Sequence, residues 1–118
     1  MIAGFGFRQG ADAVALNAAL DAALARAGAT RDQVTMAATL DTKAQALRAA
    51  IALPVTGLPA AAFAGIVTPT QSPRILAEFG TGSIAEAAAL CLGARLLVPR
   101  TLSPDATATC AIATRIPA

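Results

Sequence analysis

The sequence predicts an α/β fold, a three-layer α/β/α sandwich around a mostly parallel sheet of about five strands with an antiparallel edge. Short apolar runs alternate with longer runs whose apolar residues recur at helical spacing, which is typical of a sheet covered on both faces. The last two apolar runs have no helical segment between them, which predicts the antiparallel edge. The chain of 118 residues is long enough for one core, so a single domain spanning 1–118 is expected.

The elements follow from the apolar spacing and from the residues that bound each run. The predicted strands, each a short apolar run, are 1–7, 34–39, 55–59, 94–99 and 107–116. The predicted helices are 10–28, 40–54, two short ones over 60–65 and 72–80, and one of about 10 residues that begins within 80–90 and closes at Gly93.

Bounding residues set the ends of the two long helices in the first half. Gly28 stands where a C-terminal cap is expected, because glycine adopts the left-handed conformation that ends many helices. Asp41 or Thr42 is expected to cap the second helix, since a side-chain oxygen can accept a hydrogen bond from a first-turn N–H group. Pro54 is expected to stop that helix.

The later helices carry similar signals. Ser72 is expected to be an N-cap, with Pro73 at the first helical position. Ser83 and Glu86 fit the S-x-x-E capping box, in which each side chain accepts from the other residue's backbone N–H. A turn at 103–105 is expected to join the last two strands.

Composition argues against several function classes. The net charge is only +2, aromatic residues make up 3% and Trp and Tyr are absent, so nucleic acid is not an expected partner. No apolar run reaches the roughly 20 residues of a membrane helix, and the first residues lack a signal-peptide pattern. We therefore expect a cytoplasmic protein without a membrane partner.

Metal and cofactor chemistry have little support in the residue types present. Histidine, the commonest metal ligand and general acid–base residue, is absent. Cys91 and Cys110 are too few and too far apart for a zinc site or a disulfide framework, and both are expected to pack in apolar surroundings. No metal and no cofactor are therefore expected.

Glycines, hydroxyls and basic residues gather where predicted strands end or helices begin, and ligands of open α/β sheets bind at such places. The candidate binding residues are Gly4, Gly6, Arg8, Thr42, Lys43, Arg74, Gly82 and Ser83. Arg100 also follows a predicted strand. Helix N–H groups beside cationic side chains favour carboxylates or phosphates, and a Cβ at position 82 is expected to obstruct such a group. Asp41 and Glu86 are the candidate general acids or bases.

A nucleotide site is an alternative interpretation of the glycines. The segment "GFGFRQG" departs from the dinucleotide pattern G-x-G-x-x-G by one residue, and no acid about 20 positions later ends a second strand. The segment "GTGS" is followed by Ile84, whereas a phosphate-binding P-loop has Lys there. A tight strand-to-helix turn and an ordinary helix start explain both segments without a ligand.

Four segments in order along the chain resemble a family of cobalamin (vitamin B12) biosynthesis proteins, CobE and the C-terminal domain of CbiG. They are "AGFGFRQGA", "ATLDTKAQALRA", "TPTQSPRILAEFGTGSIAEAAAL" and "ATCAIAT". The resemblance covers essentially the whole chain and is strongest in "GFGFR", "DTKA" and "GSIAEAAAL". A lone domain, without the half that precedes it in CbiG, is most similar to stand-alone CobE.

The resemblance implies a role in making the corrin ring, around the ring-contraction and two-carbon extrusion stage. CbiG opens a δ-lactone on cobalt-precorrin-5A and releases the two-carbon unit as acetaldehyde. The implied ligand is a precorrin or other corrinoid intermediate, a polyanion edged by acetates and propionates, and other enzymes of the pathway are further candidate partners. Three hypotheses stay open: a precorrin-modifying enzyme of hydrolase type, a non-catalytic carrier of a corrinoid, and an unrelated nucleotide-binding domain.

Overall fold

The computed structural model describes residues 1–115, in which one five-stranded sheet lies between two helical layers. The strands are β1 (Ile2–Phe7), β2 (Met36–Leu40), β3 (Val55–Leu58), β4 (Gly93–Leu102) and β5 (Ala108–Arg115). The helices are α1 (Ala13–Ala27), α2 (Asp41–Ala50), α3 (Pro73–Phe79) and α4 (Ile84–Leu92), with short 3₁₀ turns at Arg31–Gln33 and Ala60–Ala62. The predicted α/β sandwich is confirmed.

The sheet has the order β3-β2-β1-β5-β4. β1, β2 and β3 are parallel, while β5 is antiparallel to both of its neighbours, β1 and β4. The hairpin of β4 and β5 is therefore the predicted antiparallel edge. Ile116, predicted as the last residue of the fifth strand, lies outside the described residues.

One face of the sheet is covered by α1 and α2 over a core of large side chains. The fully buried members include Phe5, Leu16, Leu20, Leu47 and Ile112. These residues come from strand positions on one face and from helical positions on one stripe, as the apolar spacing predicts. The left-handed cap at Gly28, with φ of 64°, is also confirmed.

The other face is covered by α4, which lies almost directly on the backbone of β1. A Cβ added to Gly4 would overlap the carbonyl oxygen of Ala85 and come within 2.5 Å of the Ala89 nitrogen. The alanines of α4 at 85, 87, 88 and 89 are at most 1% exposed. Only small side chains fit between this helix and the sheet, so α4 is held by close backbone packing.

Several predicted element ends differ in the structure. The N-cap of α2 is Leu40, without a side-chain hydrogen bond, so the expected cap by Asp41 or Thr42 is wrong. Ser72 and Pro73 occupy the expected N-cap and first helical positions, but the Ser72 side chain makes no capping bond. β4 extends to Leu102 through three register shifts, so Arg100 lies within this strand instead of after it.

Among residues 1–115, no single helix is long and apolar enough to cross a bilayer. α3 and α4 reach that length and apolarity only when taken together, across a bend of 52°.

Candidate functional site

A cleft of about 660 Å³ opens at the carboxyl ends of β1 and β2. Its walls are the first turns of α2 and α4, the helix α3, and the parts of β4 and β5 that reach the same edge of the sheet. Ligands of open α/β sheets bind outside the carboxyl ends of the strands, so the cleft lies where a ligand of this fold is expected.

The floor of the cleft is the end of β1, held by two threonines. The Thr39 hydroxyl donates to the Phe5 carbonyl oxygen at 3.0 Å, and the Thr109 hydroxyl donates to that of Gly6 at 2.9 Å. A Cβ added to Gly6 would lie 3.1 Å from the Thr109 hydroxyl oxygen, so a larger residue here would press on this hydrogen bond. Neighbouring strands thus fix the floor through side chains that also line the cleft.

Four cationic side chains line the cleft, against one acidic side chain. The cations are Arg8, Lys43, Arg74 and Arg100, and the acid is Glu78. Within residues 1–115, none of the four cations has a carboxylate oxygen within 4.0 Å. Four of the nine basic residues of the chain therefore lie around one opening without ion-pair partners in this region. Such a cluster favours a ligand with several negative charges.

An aromatic ring supports one of the cations. The Lys43 ammonium lies 5.3 Å from the centroid of the Phe7 ring. This cation–π contact restrains the flexible lysine side chain above the end of β1. The charge is therefore held at the cleft without being neutralised.

The walls are also apolar in part. Phe7 and Leu40 lie at the ends of the parallel strands, Ile75 and Phe79 on α3, and Ile84 at the start of α4. All five are partly exposed. Together with the cations they form a surface suited to a ligand that has both a flat apolar body and charged edges.

Two helix N-termini point their first turns to the cleft. Thr42 and Lys43 of α2 line it, as do Ser83 and Ile84 at the start of α4. The first N–H groups of a helix have no partner inside the helix, and α2 also has no side-chain cap. In α4 the Ser83 hydroxyl oxygen accepts from the Glu86 N–H at 3.3 Å. Both first turns favour an anionic group.

The structure brings most of the predicted binding residues together. Those on the cleft wall are Gly6, Arg8, Thr42, Lys43, Arg74 and Ser83. Gly4 and Gly82 lie away from it, as do Asp41 and Glu86, the two candidate general acids or bases. Gly4 lies beneath α4, where its missing side chain allows the close packing described above. Asp41 is exposed at the first position of α2, beside Gly57 of β3.

Gly82 is buried, and its environment differs from the one expected from the sequence. A Cβ on this residue would overlap the Thr70 carbonyl oxygen and lie 2.8 Å from the side-chain amide of Gln71. A Cβ at position 82 would therefore meet the loop before α3, and not a ligand as the sequence led us to expect. Gly82 also accepts a backbone hydrogen bond from the Ser72 N–H at 2.9 Å, which joins the two loops.

The Glu86 side chain does not make its half of the predicted capping box. Its side chain is 0% exposed and does not return to the Ser83 N–H. Instead it accepts from the Thr70 N–H at 2.9 Å, the Thr70 hydroxyl at 2.8 Å and the Arg100 N–H at 2.7 Å. The Ser83 half of the box is confirmed and the Glu86 half is wrong, because distant backbone groups occupy the carboxylate.

The cysteines lie away from the cleft wall and are free thiols. Burial raises the pKa of the Cys110 thiol, which is fully buried among apolar residues. Burial also raises the pKa of Cys91, which is partly exposed. Both thiols are therefore protonated at neutral pH, which fits the expected packing role.

A family model described as "Cobalamin synthesis G C-terminus" matches residues 1–113. The chain belongs to this family. It is similar to the crystal structure of CobE, a protein from the cobalamin (vitamin B12) biosynthetic pathway, with 29% identity and a TM-score of 0.71. That match covers 93% of this chain and 86% of the CobE chain.

A second similar structure is the cobalamin biosynthesis protein chiG from Agrobacterium tumefaciens, with 27% identity and a TM-score of 0.58. The match covers 95% of this chain and 97% of that chain. No curated protein matches the sequence. The chain is a cobalamin biosynthesis protein of the CobE and CbiG C-terminal type, so the resemblance seen in the sequence is confirmed.

Several cleft residues of this family member were not among the predicted site residues. Thr39 and Thr109 are polar residues within apolar strands, and that interruption is a signal that could have located them. Phe7 directly precedes the predicted Arg8. The side of the cleft formed by Ile75 and Phe79 depends on where α3 folds over the sheet, for which the local sequence has no signal.

Proposed function

We propose that this chain binds a precorrin or related corrinoid intermediate of cobalamin biosynthesis in the cleft, around the ring-contraction and two-carbon extrusion stage. The observation that carries the proposal is the set of four cations without ion-pair partners among residues 1–115, arranged around partly apolar walls. Precorrins are flexible macrocycles edged by acetate and propionate groups, so they match both properties. Membership of the family supports the same ligand class.

In this proposal the carboxylates of the ligand meet the charged rim. Arg8 and Lys43 lie on one side of the opening, and Arg74 and Arg100 come from α3 and β4. A guanidinium can bind a carboxylate through two parallel hydrogen bonds, and a helix N-terminus adds backbone donors. Arg8 is exposed in the unliganded chain, so its contribution depends on how far the ligand excludes water from it.

The macrocycle itself packs against apolar surface. Phe7 and Leu40 form the strand side of the cleft, while Ile75 and Phe79 of α3 face the same space. Removing the apolar part of the ring from water on both sides adds a contribution that does not depend on salt. A ligand of this kind is therefore held at its edges by charge and at its faces by burial.

The nucleotide alternative is disfavoured by the helix that follows β1. Asp12 caps α1, and its carboxylate oxygen accepts from the Ala15 N–H at 2.8 Å. In a dinucleotide-binding fold the pyrophosphate occupies the N-terminus of this helix. Here an aspartate fills the position and repels a phosphate.

The experiment is an absorbance titration with two corrinoids that share a ring and differ in charge. Cobyrinic acid carries free carboxylates around the corrin, and in cobinamide the same groups are amides. We expect cobyrinic acid to bind, with an affinity that falls as salt rises because exposed charge pairs are screened, and cobinamide to bind much more weakly. Equal affinity for the two would overturn the proposal. Following the spectrum of a supplied precorrin over time separates a carrier, which leaves it unchanged, from an enzyme, which converts it.

A further inference from the structure

Two walls of the cleft are joined by one buried carboxylate. We propose that Glu86 is a positioning residue, which holds the loop leading to Arg74 and the strand carrying Arg100 in the arrangement that a polycarboxylate requires. This inference rests on the proposed function, because it concerns binding in the same cleft. It replaces the expectation that Glu86 acts as a general acid or base.

The geometry places Glu86 between the two walls. Its Oε1 accepts from the Thr70 N–H, and its Oε2 accepts from the Thr70 hydroxyl and from the Arg100 N–H, all within 2.7–2.9 Å. The carboxylate is 0% exposed and does not line the cleft. It therefore acts through the backbone of other residues and not on the ligand itself.

The loop held by Glu86 is connected to the basic helix. The Thr68 hydroxyl donates to the Thr70 carbonyl oxygen at 2.9 Å, and the Gln71 side-chain amide donates to the Thr68 carbonyl oxygen at 2.6 Å. Ser72, the N-cap of α3, donates its N–H to the Gly82 carbonyl oxygen. Displacement of Thr70 would therefore change where α3 begins, and with it the position of Arg74.

The three donors explain why an acid occupies this position. A carboxylate offers acceptors on both oxygens, and all three partners donate. Glutamine has one carbonyl oxygen and one NH₂ group. In one orientation its NH₂ group faces the Thr70 N–H, and in the other it faces the Arg100 N–H. Either orientation sets a donor against a donor, so Glu86→Gln releases one of the two walls.

A double-substitution cycle tests the inference, with cobyrinic acid as the probe. We expect Glu86→Gln and Arg100→Ala each to weaken binding about tenfold, since the first displaces and the second removes one well-placed charge contact. If Glu86 acts through Arg100, the double variant is much less than a hundredfold weaker than the parent. Lys43→Ala is the matched control, because Lys43 lies on α2, and its effect should multiply with that of Glu86→Gln.

A second pair of variants covers the case in which Glu86→Gln does not fold. Thr70→Val removes the hydroxyl bond to Glu86, while Thr70→Ser retains it. We expect Thr70→Val to bind cobyrinic acid several times more weakly and Thr70→Ser to bind like the parent. Because Glu86→Gln releases one of the two walls, the same cycle is run with Arg74→Ala. Multiplicative effects of Glu86→Gln with both Arg74→Ala and Arg100→Ala, or unchanged binding by Thr70→Val, would overturn the inference. If the parent itself does not bind cobyrinic acid, it is the proposed function that fails.

Discussion

On one face of the sheet, α1 and α2 bury leucines and a phenylalanine, and on the other face α4 buries alanines over a glycine. The first layer fills its interior with long side chains that can shift slightly when one of them changes. In the second layer the helix backbone itself lies on the strand, so added atoms have no space. The first layer mainly stabilises the fold, whereas the second also places Ser83 at the cleft and the buried Glu86 against the loop at 68–72, which leads to α3.

Because α4 lies directly on β1, we expect the largest effect on stability from one added methyl group. Gly4→Ala introduces a Cβ that overlaps the backbone of α4, so we expect a loss of more than about 3 kcal/mol in the free energy of unfolding. Denaturant unfolding measures this loss. Gly10→Ala is the control: φ is +91° there, but no heavy atom lies within 4 Å, so only backbone strain of about 1 kcal/mol is expected. Equal losses for the two variants would show that α4 does not pack as described.

A cavity on the other face should affect stability alone. Leu20 of α1 is fully buried and lies away from the cleft wall. We expect Leu20→Ala to lower the free energy of unfolding by about 2–5 kcal/mol. The folded variant should bind cobyrinic acid as the parent does, measured at a temperature well below its unfolding midpoint. A large loss of affinity in the folded variant would mean that the two faces do not have separate roles.

In the loop before α4, we expect substitution by alanine to have different effects at the neighbouring residues Gly82 and Ser83. Gly82→Ala would press on the Thr70 carbonyl oxygen, so we expect a loss of about 1–3 kcal/mol together with weaker ligand binding. Ser83→Ala removes only the bond to the Glu86 N–H, with an expected loss of about 0.5–2 kcal/mol. Thermal unfolding and corrinoid titration of both variants measure the two effects. A Gly82→Ala variant as stable as the parent would contradict the packing at this loop.

The smallest expected effect lies in the turn between β4 and β5, away from both helical layers. Hydrogen bonds to its carboxylate lower the pKa of Asp105. The Ser103 hydroxyl contributes most, and the Thr107 N–H and hydroxyl contribute less. Because the folded pKa lies below the unfolded value, this acid stabilises the fold above about pH 4 and stops doing so as pH falls through the folded pKa. Asp105→Asn should therefore lower the melting temperature slightly at neutral pH, and the difference should disappear in acid. A difference that persists in acid would show that charge is not its cause.

Local chemistry in the sequence predicts much of this fold. The cap at Gly28, the start of α3 at Pro73 and the Ser83 bond all depend on residues within one helical turn, and all three are confirmed. The Glu86 contacts could not be predicted in this way, because Thr70 and Arg100 are 16 and 14 residues away along the chain. Backbone N–H donors have no sequence signature, so the sequence predicts only the local capping box for the Glu86 side chain.

In the candidate site, too, local sequence predicts some positions and not others. Arg8, Lys43 and Arg74 are predicted to lie near one another because each comes at the end of a strand or the start of a helix, and the structure places all three around one cleft. Gly4 shares the glycine pattern and faces the same side of the sheet as Gly6, two residues along β1, but α4 covers Gly4, whereas Gly6 lies beside the first residues of α4 and lines the cleft. Spacing alone does not distinguish a glycine that admits a ligand from one that admits a helix.

The central claim is that cations placed at the cleft, and not the net charge of the chain, bind the ligand. The most direct measurement compares the affinity for cobyrinic acid of Arg8→Ala and Lys43→Ala with that of Arg95→Ala, an exposed position on β4 outside the cleft. All three variants lose one positive charge. We expect the first two to bind about tenfold or more weakly, on the order of 1.5–3 kcal/mol for a contact that the ligand partly shields from water, and Arg95→Ala to bind like the parent. The same affinity in all three variants would contradict the claim.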